Sequence, residues 1–121
     1  MAKPKRFTTD EFTQKLDQEI GRLIETKQSG RELIQTDIQV NDIALAFGVN
    51  TATIRRWCKE HTALSPRQYL AIYRMERAKQ FLRLGLKPAK ISTKLAFTEH
   101  KVFCAVFKRY EKISPSKFNT L

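Results

Sequence analysis

The side chains best suited to chemistry here are cations on one helical face, not nucleophiles. Between Asn50 and His61 the apolar residues Ile54, Trp57 and Cys58 recur at helical spacing. On such a helix Ala52, Arg55, Arg56 and Lys59 point away from the apolar stripe or lie at its rim. A guanidinium is the usual bidentate partner of guanine O6 and N7, and it also binds phosphate. The wider charge agrees. The net charge is +11, and residues 43–121 carry +12 while residues 1–42 carry −1. A segment that basic attracts polyanions, nucleic acid foremost, although a solvated surface is the bland alternative. Other chemistries lack their residues. His61 and His100 have no His, Cys or carboxylate at metal spacing, so no metal site is expected. There is no glycine-rich phosphate loop and no nucleophile elbow, and no enzyme is expected. Cys58 and Cys104 sit in helical patterns and read as reduced core thiols.

The elements that would position this face are all helical. Met1 to Phe7 reads as a loose basic tail, without the apolar run of a secretory signal. Thr8 or Thr9 caps a first helix with Asp10 and Glu11 in its first turn. Phe12, Leu16, Ile20, Leu23 and Ile24 form its apolar stripe, and Ser29-Gly30 ends it. Leu33, Ile34 and Ile38 suggest that the segment up to Gln39 is partly buried. A short helix from Asp42 to Phe47 follows, with Ile43, Ala44 and Phe47 inward. Gly48 supplies a left-handed turn and Asn50 caps the basic helix. Ser65-Pro66 opens a central helix running to about Leu84, apolar on two sides and thus able to contact two groups of partners. Beyond Gly85, Ile91 and Leu95 mark another short helix. Thr98 is expected to cap the helix after it, with Val102, Phe103, Val106 and Phe107 inward. Ser114-Pro115 starts a last turn containing Phe118. No apolar run approaches the roughly 18 residues of a membrane span, which leaves a cytoplasmic, nucleoid-associated location as the expectation.

The second half repeats the first. At an offset of 48, Ile43 falls on Ile91, Phe47 on Leu95 and Gly48 on Ala96. After the turn the offset is 49: Ile54 on Phe103, Cys58 on Phe107, Ser65-Pro66 on Ser114-Pro115 and Tyr69 on Phe118. One residue is inserted at the second turn. The expected fold is all-α: two helix-turn-helix lobes, residues 40–65 and 85–121, joined by a linker helix, residues 66–84. Residues 1–39 add a basic tail, an amphipathic packing helix and a connecting segment. In a helix-turn-helix the second helix enters the major groove. A linker of about 19 residues spans roughly 28 Å, against roughly 34 Å between successive major-groove faces on one side of B-DNA. One molecule could present two such helices to adjacent segments, with some bending of the duplex.

From about Val40 to Phe118 the sequence resembles the DNA-binding domain of the AraC/XylS family of bacterial transcription regulators. DIALAFGVN with SPRQYL is similar to the first helix-turn-helix and the start of the linker. YRMERAKQFL is similar to the family's Arg-Leu-x-x-Ala-x-x-Leu-Leu spine, and FKRYEKISPSKF to its C-terminal signature. The resemblance implies transcription regulation, usually activation, through double-stranded promoter DNA and RNA polymerase. About 40 residues before the domain are too few for an effector domain, which makes the chain similar to the small stand-alone members. That implies a monomer without a cofactor or membrane attachment. The sequence leaves the first helix two uses, extension of the fold or a dimer contact.

The family's base-reading positions fall on Thr51, Ala52, Arg55 and Arg56. Arg56 is the first choice for guanine readout and Arg55 the second, while Ala52 and Thr51 can touch a thymine methyl. Asn50, Lys59 and Arg67 are better placed for phosphates. The second lobe departs from the family. Ala96 stands where Gly is usual, at a cost of about 1 kcal/mol if the turn is left-handed. Ser92 replaces a small Ala, and Ala105 replaces a base-reading Arg. Glu99 adds negative charge near the groove. His100 and Lys101 remain for base contacts there, with Thr98 and Lys108 for phosphates. The competing reading is a protein-interaction module. In that reading the first helix and the weakened second lobe bind a protein and hold DNA nonspecifically.

Overall fold

The structure is a computed structural model and describes residues 7–29 and 38–118. Among the described residues there are seven helices and no strand. Thr8 opens the first, α1 (Thr9–Ser29). Its hydroxyl accepts from the Glu11 N–H at 3.1 Å, and the Glu11 carboxylate accepts from the Thr8 N–H at 3.2 Å, a reciprocal cap. Most of the stripe behind this cap is consumed by the chain's own core, with Leu23 half-buried at its edge. Phe12, Leu16 and Ile20 are 0% exposed and Ile24 is 6% exposed. It packs on α2 (Val40–Ala46), α3 (Thr51–Thr62) and α5 (Pro88–Lys94). The first helix therefore extends the fold, with most of its apolar face spent on contacts within the chain. Phe7 belongs with it, not with a loose tail. Its ring lies 5.8–6.1 Å from those of Phe12, Phe47 and Trp57, edge to face. Residues 1–6 and 30–37 lie outside the described residues; of the connecting segment, Ile38 joins the first core at 5% exposure.

The two lobes repeat down to their backbone. Gly48 has φ +68° and its counterpart Ala96 φ +61°. Val49 donates to the Ala44 carbonyl at 3.0 Å and Phe97 to the Ser92 carbonyl at 3.1 Å. At the far ends of α3 and α6 (His100–Glu111), Ala63 and Lys112 both close the helix in the left-handed region, at φ 61° and 70°. Thus Ala96 does take the strained conformation that glycine would adopt freely.

Three boundaries differ from expectation. The second helix begins at Val40, not Asp42, because the Asp42 carboxylate accepts from the Gln39 N–H at 2.7 Å and so sits one turn inside. It ends at Ala46, leaving Phe47 in the turn. Thr98 does not cap α6. The residue inserted at the second turn is Thr98 itself, which moves the N-cap to Glu99, and Glu99 makes no side-chain cap bond. Val102 does not point inward; it is 38% exposed and faces the space between the lobes.

The spine is α4 (Pro66–Arg83), entered through a capping box of Ser65 and Gln68. Its 18 residues span roughly 27 Å. Leu70 joins the first core, while Met75, Ala78 and Leu82 join the second with Ile91, Phe103 and Phe107. Arg74 lies between them, only 3% exposed. Its guanidinium stacks 4.4 Å from the Phe97 ring centre and donates to the Ala96 carbonyl at 3.5 Å. Ala96 itself packs into the first core, so the turn of the second lobe is plugged into the first. Lys79 adds a tie, 2.8 Å from Glu76 and 3.1 Å from Glu111 on α6. The last helix, α7 (Pro115–Phe118), closes the second core with Phe118 against Phe107.

Candidate nucleic-acid interface

The outer face of α3 is set by what its inner face buries. Ile54 and Cys58 are fully buried and Trp57 half-buried against α1, so Ala52, Arg55, Arg56 and Lys59 are left exposed. Burial pushes the Cys58 thiol up to about 11 and marks that side of the helix as dry. Thr51, in the first turn, is half-exposed. The helix starts where it does because Asn50 Oδ1 accepts from the Thr53 N–H at 2.8 Å. That capping role occupies the oxygen of Asn50 and turns its Nδ2 group into the one that could meet a phosphate. Lys59 donates to the Ala63 carbonyl at 3.3 Å, across the end of the helix. Arg56 lies 4.0 Å from Glu60, with both side chains more than half exposed, an arrangement that water and salt screen.

On α6 the equivalent face carries Lys101, Ala105 and Lys108, the counterparts of Ala52, Arg56 and Lys59, and all three are exposed. Lys101 is 86% exposed, 3.8 Å from Glu99. His100 opens the helix, with Nε2 3.5 Å from Cys104 Sγ. Thr98 is exposed in the turn. Arg67, in the first turn of α4, is exposed as well.

Between α3 and α6 runs a groove floored by Leu70, Ala71 and Phe97 of the spine and the second turn. Arg55, Arg67 and Arg109 line it, and among the described residues no carboxylate does. Val102, Val106 and Tyr110 form its wall on the α6 side. The structure therefore brings Thr51, Arg55 and Arg67 together here and sets Arg56 on the opposite flank of α3, with Trp57 and Thr53. Arg109 and Tyr110 were not legible as interface residues. Their relevance comes from the way the second lobe is docked on the first, which helical spacing within either lobe does not encode.

Two helix-turn-helix units on one spine, with their second helices flanking an arginine-lined groove, define a double helix-turn-helix domain. The family model described as a helix-turn-helix domain matches residues 43–120, and the chain belongs to this AraC-type family. It is 33% identical over 84 residues to an uncharacterized response regulatory protein of Staphylococcus epidermidis, covering 69% of this chain and 34% of the relative. It is 31% identical over 88 residues to the transcriptional regulatory protein HptR of Staphylococcus aureus, covering 73% and 35%. The chain thus spans about a third of the length of the curated relatives it matches. Among solved structures it resembles the C-terminal domain of the two-component response regulator yesN from Fusobacterium nucleatum. The TM-score is 0.69 at 21% identity, over 88% of this chain and 97% of that one. An AraC-type transcriptional regulator from Chromobacterium violaceum matches with a TM-score of 0.64 at 22% identity, over 90% and 93%. These likenesses establish the fold. No described helix is long and apolar enough to cross a membrane.

Proposed function

We propose that this chain binds double-stranded promoter DNA sequence-specifically and regulates transcription, inserting α3 and α6 into adjacent major-groove segments. One observation carries the reading: the exposed basic faces of the two second helices flank a groove with three exposed arginines and, among the described residues, no carboxylate in its lining. Arg56, Arg55, Ala52 and Thr51 read bases in the first half-site; His100 and Lys101 read fewer in the second. Asn50, Lys59, Arg67, Thr98 and Lys108 hold phosphates. One chain supplies both reading helices, so it acts as a monomer and needs no cofactor. By its kinship with transcriptional regulatory proteins it acts in the bacterial cytoplasm, chiefly as an activator that contacts RNA polymerase.

The test is selection of bound duplexes from a random pool at physiological salt. Enrichment of one strong half-site, with a weaker one about a helical turn away, is the expected result. Under the competing reading, an interaction module with nonspecific DNA contact, the protein still retards DNA but no sequence enriches.

A further inference from the structure

Arg109 and Tyr110 stand exposed near the end of α6, on the wall of the inter-lobe groove. The other arginines exposed in that lining, Arg55 and Arg67, come from α3 and the start of α4. Glu60, which the repeat places at the position of Arg109, is not in the lining and lies beside Arg56 instead. The acid of the first lobe thus stays out of the groove, while the cation of the second enters it. The same wall carries an apolar strip at helical spacing. Val102 is 38% and Tyr110 41% exposed, with Val106 half-buried between them. The shape of DNA says what would meet this wall. Successive major-groove segments on one face of B-DNA are separated by the minor groove. A duplex that takes α3 and α6 in two such segments therefore turns its minor groove toward the space between them. The walls of a minor groove are apolar deoxyribose edges, and a phosphate ridge runs along each side. A bend toward the protein compresses that minor groove. A·T-rich sequence narrows it as well, and a narrow minor groove has an enhanced negative potential that attracts an inserted arginine.

We propose that the inter-lobe groove receives the minor groove of the spacer between the two half-sites, and that Arg109 enters it and senses its width, so that the chain favours A·T-rich spacers. Val102, Val106 and Tyr110 meet the sugar edges, and Arg67 holds the phosphate ridge on the side of the first lobe. The inference rests on the promoter-binding reading and adds to it a specificity-determining residue that reads shape, where α3 and α6 read base edges.

Duplexes that hold both selected half-sites and differ only in the spacer test it. An A·T spacer is expected to bind several-fold more tightly than a G·C spacer. Inosine in place of guanine removes the N2 amino group from the minor groove and keeps the major-groove edge of G·C. A spacer of inosine·cytosine pairs should therefore bind like the A·T one. Arg109→Gln, at an exposed position, should remove most of the preference and lower the salt slope on the full site by about 1. Its affinity for an isolated first half-site should match that of the wild type. An inosine spacer that binds like G·C would place the preference in the major groove and overturn the inference. A preference that the variant keeps in full would overturn it too, because ease of bending alone would then explain the choice of spacer. Equal losses on A·T and G·C spacers would reduce Arg109 to a phosphate contact, against the proposal. If half-sites enrich but all spacers bind alike, this inference fails and the promoter reading stands. If no half-site enriches in the selection, the promoter reading fails first and this inference with it.

Discussion

Arg55 and Arg56 are neighbours in sequence but not in surroundings, and that difference separates their expected roles. Arg56 stands on the outer face, where its ion pair with Glu60 is exposed and easily exchanged for a base edge. Arg55 lines the groove with Arg67 and Arg109, where the phosphates between two major-groove segments would pass. Arg56→Ala is expected to relax discrimination at one base pair by about 1–3 kcal/mol. Arg55→Ala should cost less discrimination, and should also weaken all sequences and lower the salt slope by about 1. Competition titrations with single-base variants decide between these assignments; identical profiles for the two variants would contradict the division. The cysteines differ as sharply. Cys58 is 0% exposed with its thiol pushed up to about 11 by burial, whereas Cys104 is half-buried on α6. Since the thiolate is the reactive form, alkylation of the native protein at pH 8 should modify Cys104 and leave Cys58 until unfolding. Mass spectrometry of the digested protein reads this directly. Raising the pH from near 9 toward 11 would ionise Cys58 in the unfolded chain first, so its contribution to stability is full below 9 and declines through that window.

The element that changes meaning between sequence and structure is α1. Its stripe was evident from spacing, but a stripe does not say what covers it. In the structure it lies on α2, α3 and α5, and so braces both lobes as well as the back of the first reading helix. Leu16, fully buried at the middle of that contact, makes the point testable. Leu16→Ala should cost about 2–5 kcal/mol by the usual transfer and cavity terms, seen as a lower midpoint in urea unfolding. A loss below about 1 kcal/mol would mean the helix is only loosely docked. The repeat explains why so much else was readable. Apolar positions, Gly48, Asn50, Ser65-Pro66 and Gly85 are local signals, and each acts where it stands. Thr98 misled because its type suits a cap while the inserted residue shifts the cap by one. Val102 misled because its helix face is buried in one direction and open toward the other lobe. Phe7 looked like part of a tail because its partners, Phe47 and Trp57, are 40 or more residues away. Arg74 carried no sequence signal of burial, since a guanidinium is expected in water; the ring of Phe97 and the carbonyl of Ala96 help to make its place intelligible.

At the scale of the whole molecule, the question is how two unequal reading heads work as one. The turn of the second lobe sits in the first core through Ala96, and Arg74 clasps the same turn from the spine. The heads are therefore held at one spacing, to which a duplex bound by both would have to conform. If the spine's roughly 27 Å sets the separation of the two heads, against roughly 34 Å between successive groove faces, the duplex would have to bend toward the protein to engage both. Smooth bending of a site of this size costs on the order of 1–6 kcal/mol, which the second half-site has to offset. Its resources are modest. The position equivalent to Arg56 is Ala105, and Lys101 has Glu99 beside it at 3.8 Å. On the proposed mode of binding the first lobe, with Arg55 and Arg56, would carry most of the discrimination, and the second would engage only when its contacts exceed the bending cost. Base substitutions under α6 are then expected to cost less than those under α3, because the second lobe can release while the first stays bound. The loss should level off at the affinity of a single half-site. Arg74→Ala tests the coupling from the protein side. With the clasp removed the spacing relaxes, so affinity for the full site should fall while affinity for an isolated first half-site is kept, after correction for lost stability. Equal penalties in the two halves, or a parallel fall for full and half sites in the Arg74 variant, would show that the lobes contribute independently and that the fixed spacing has no part in recognition.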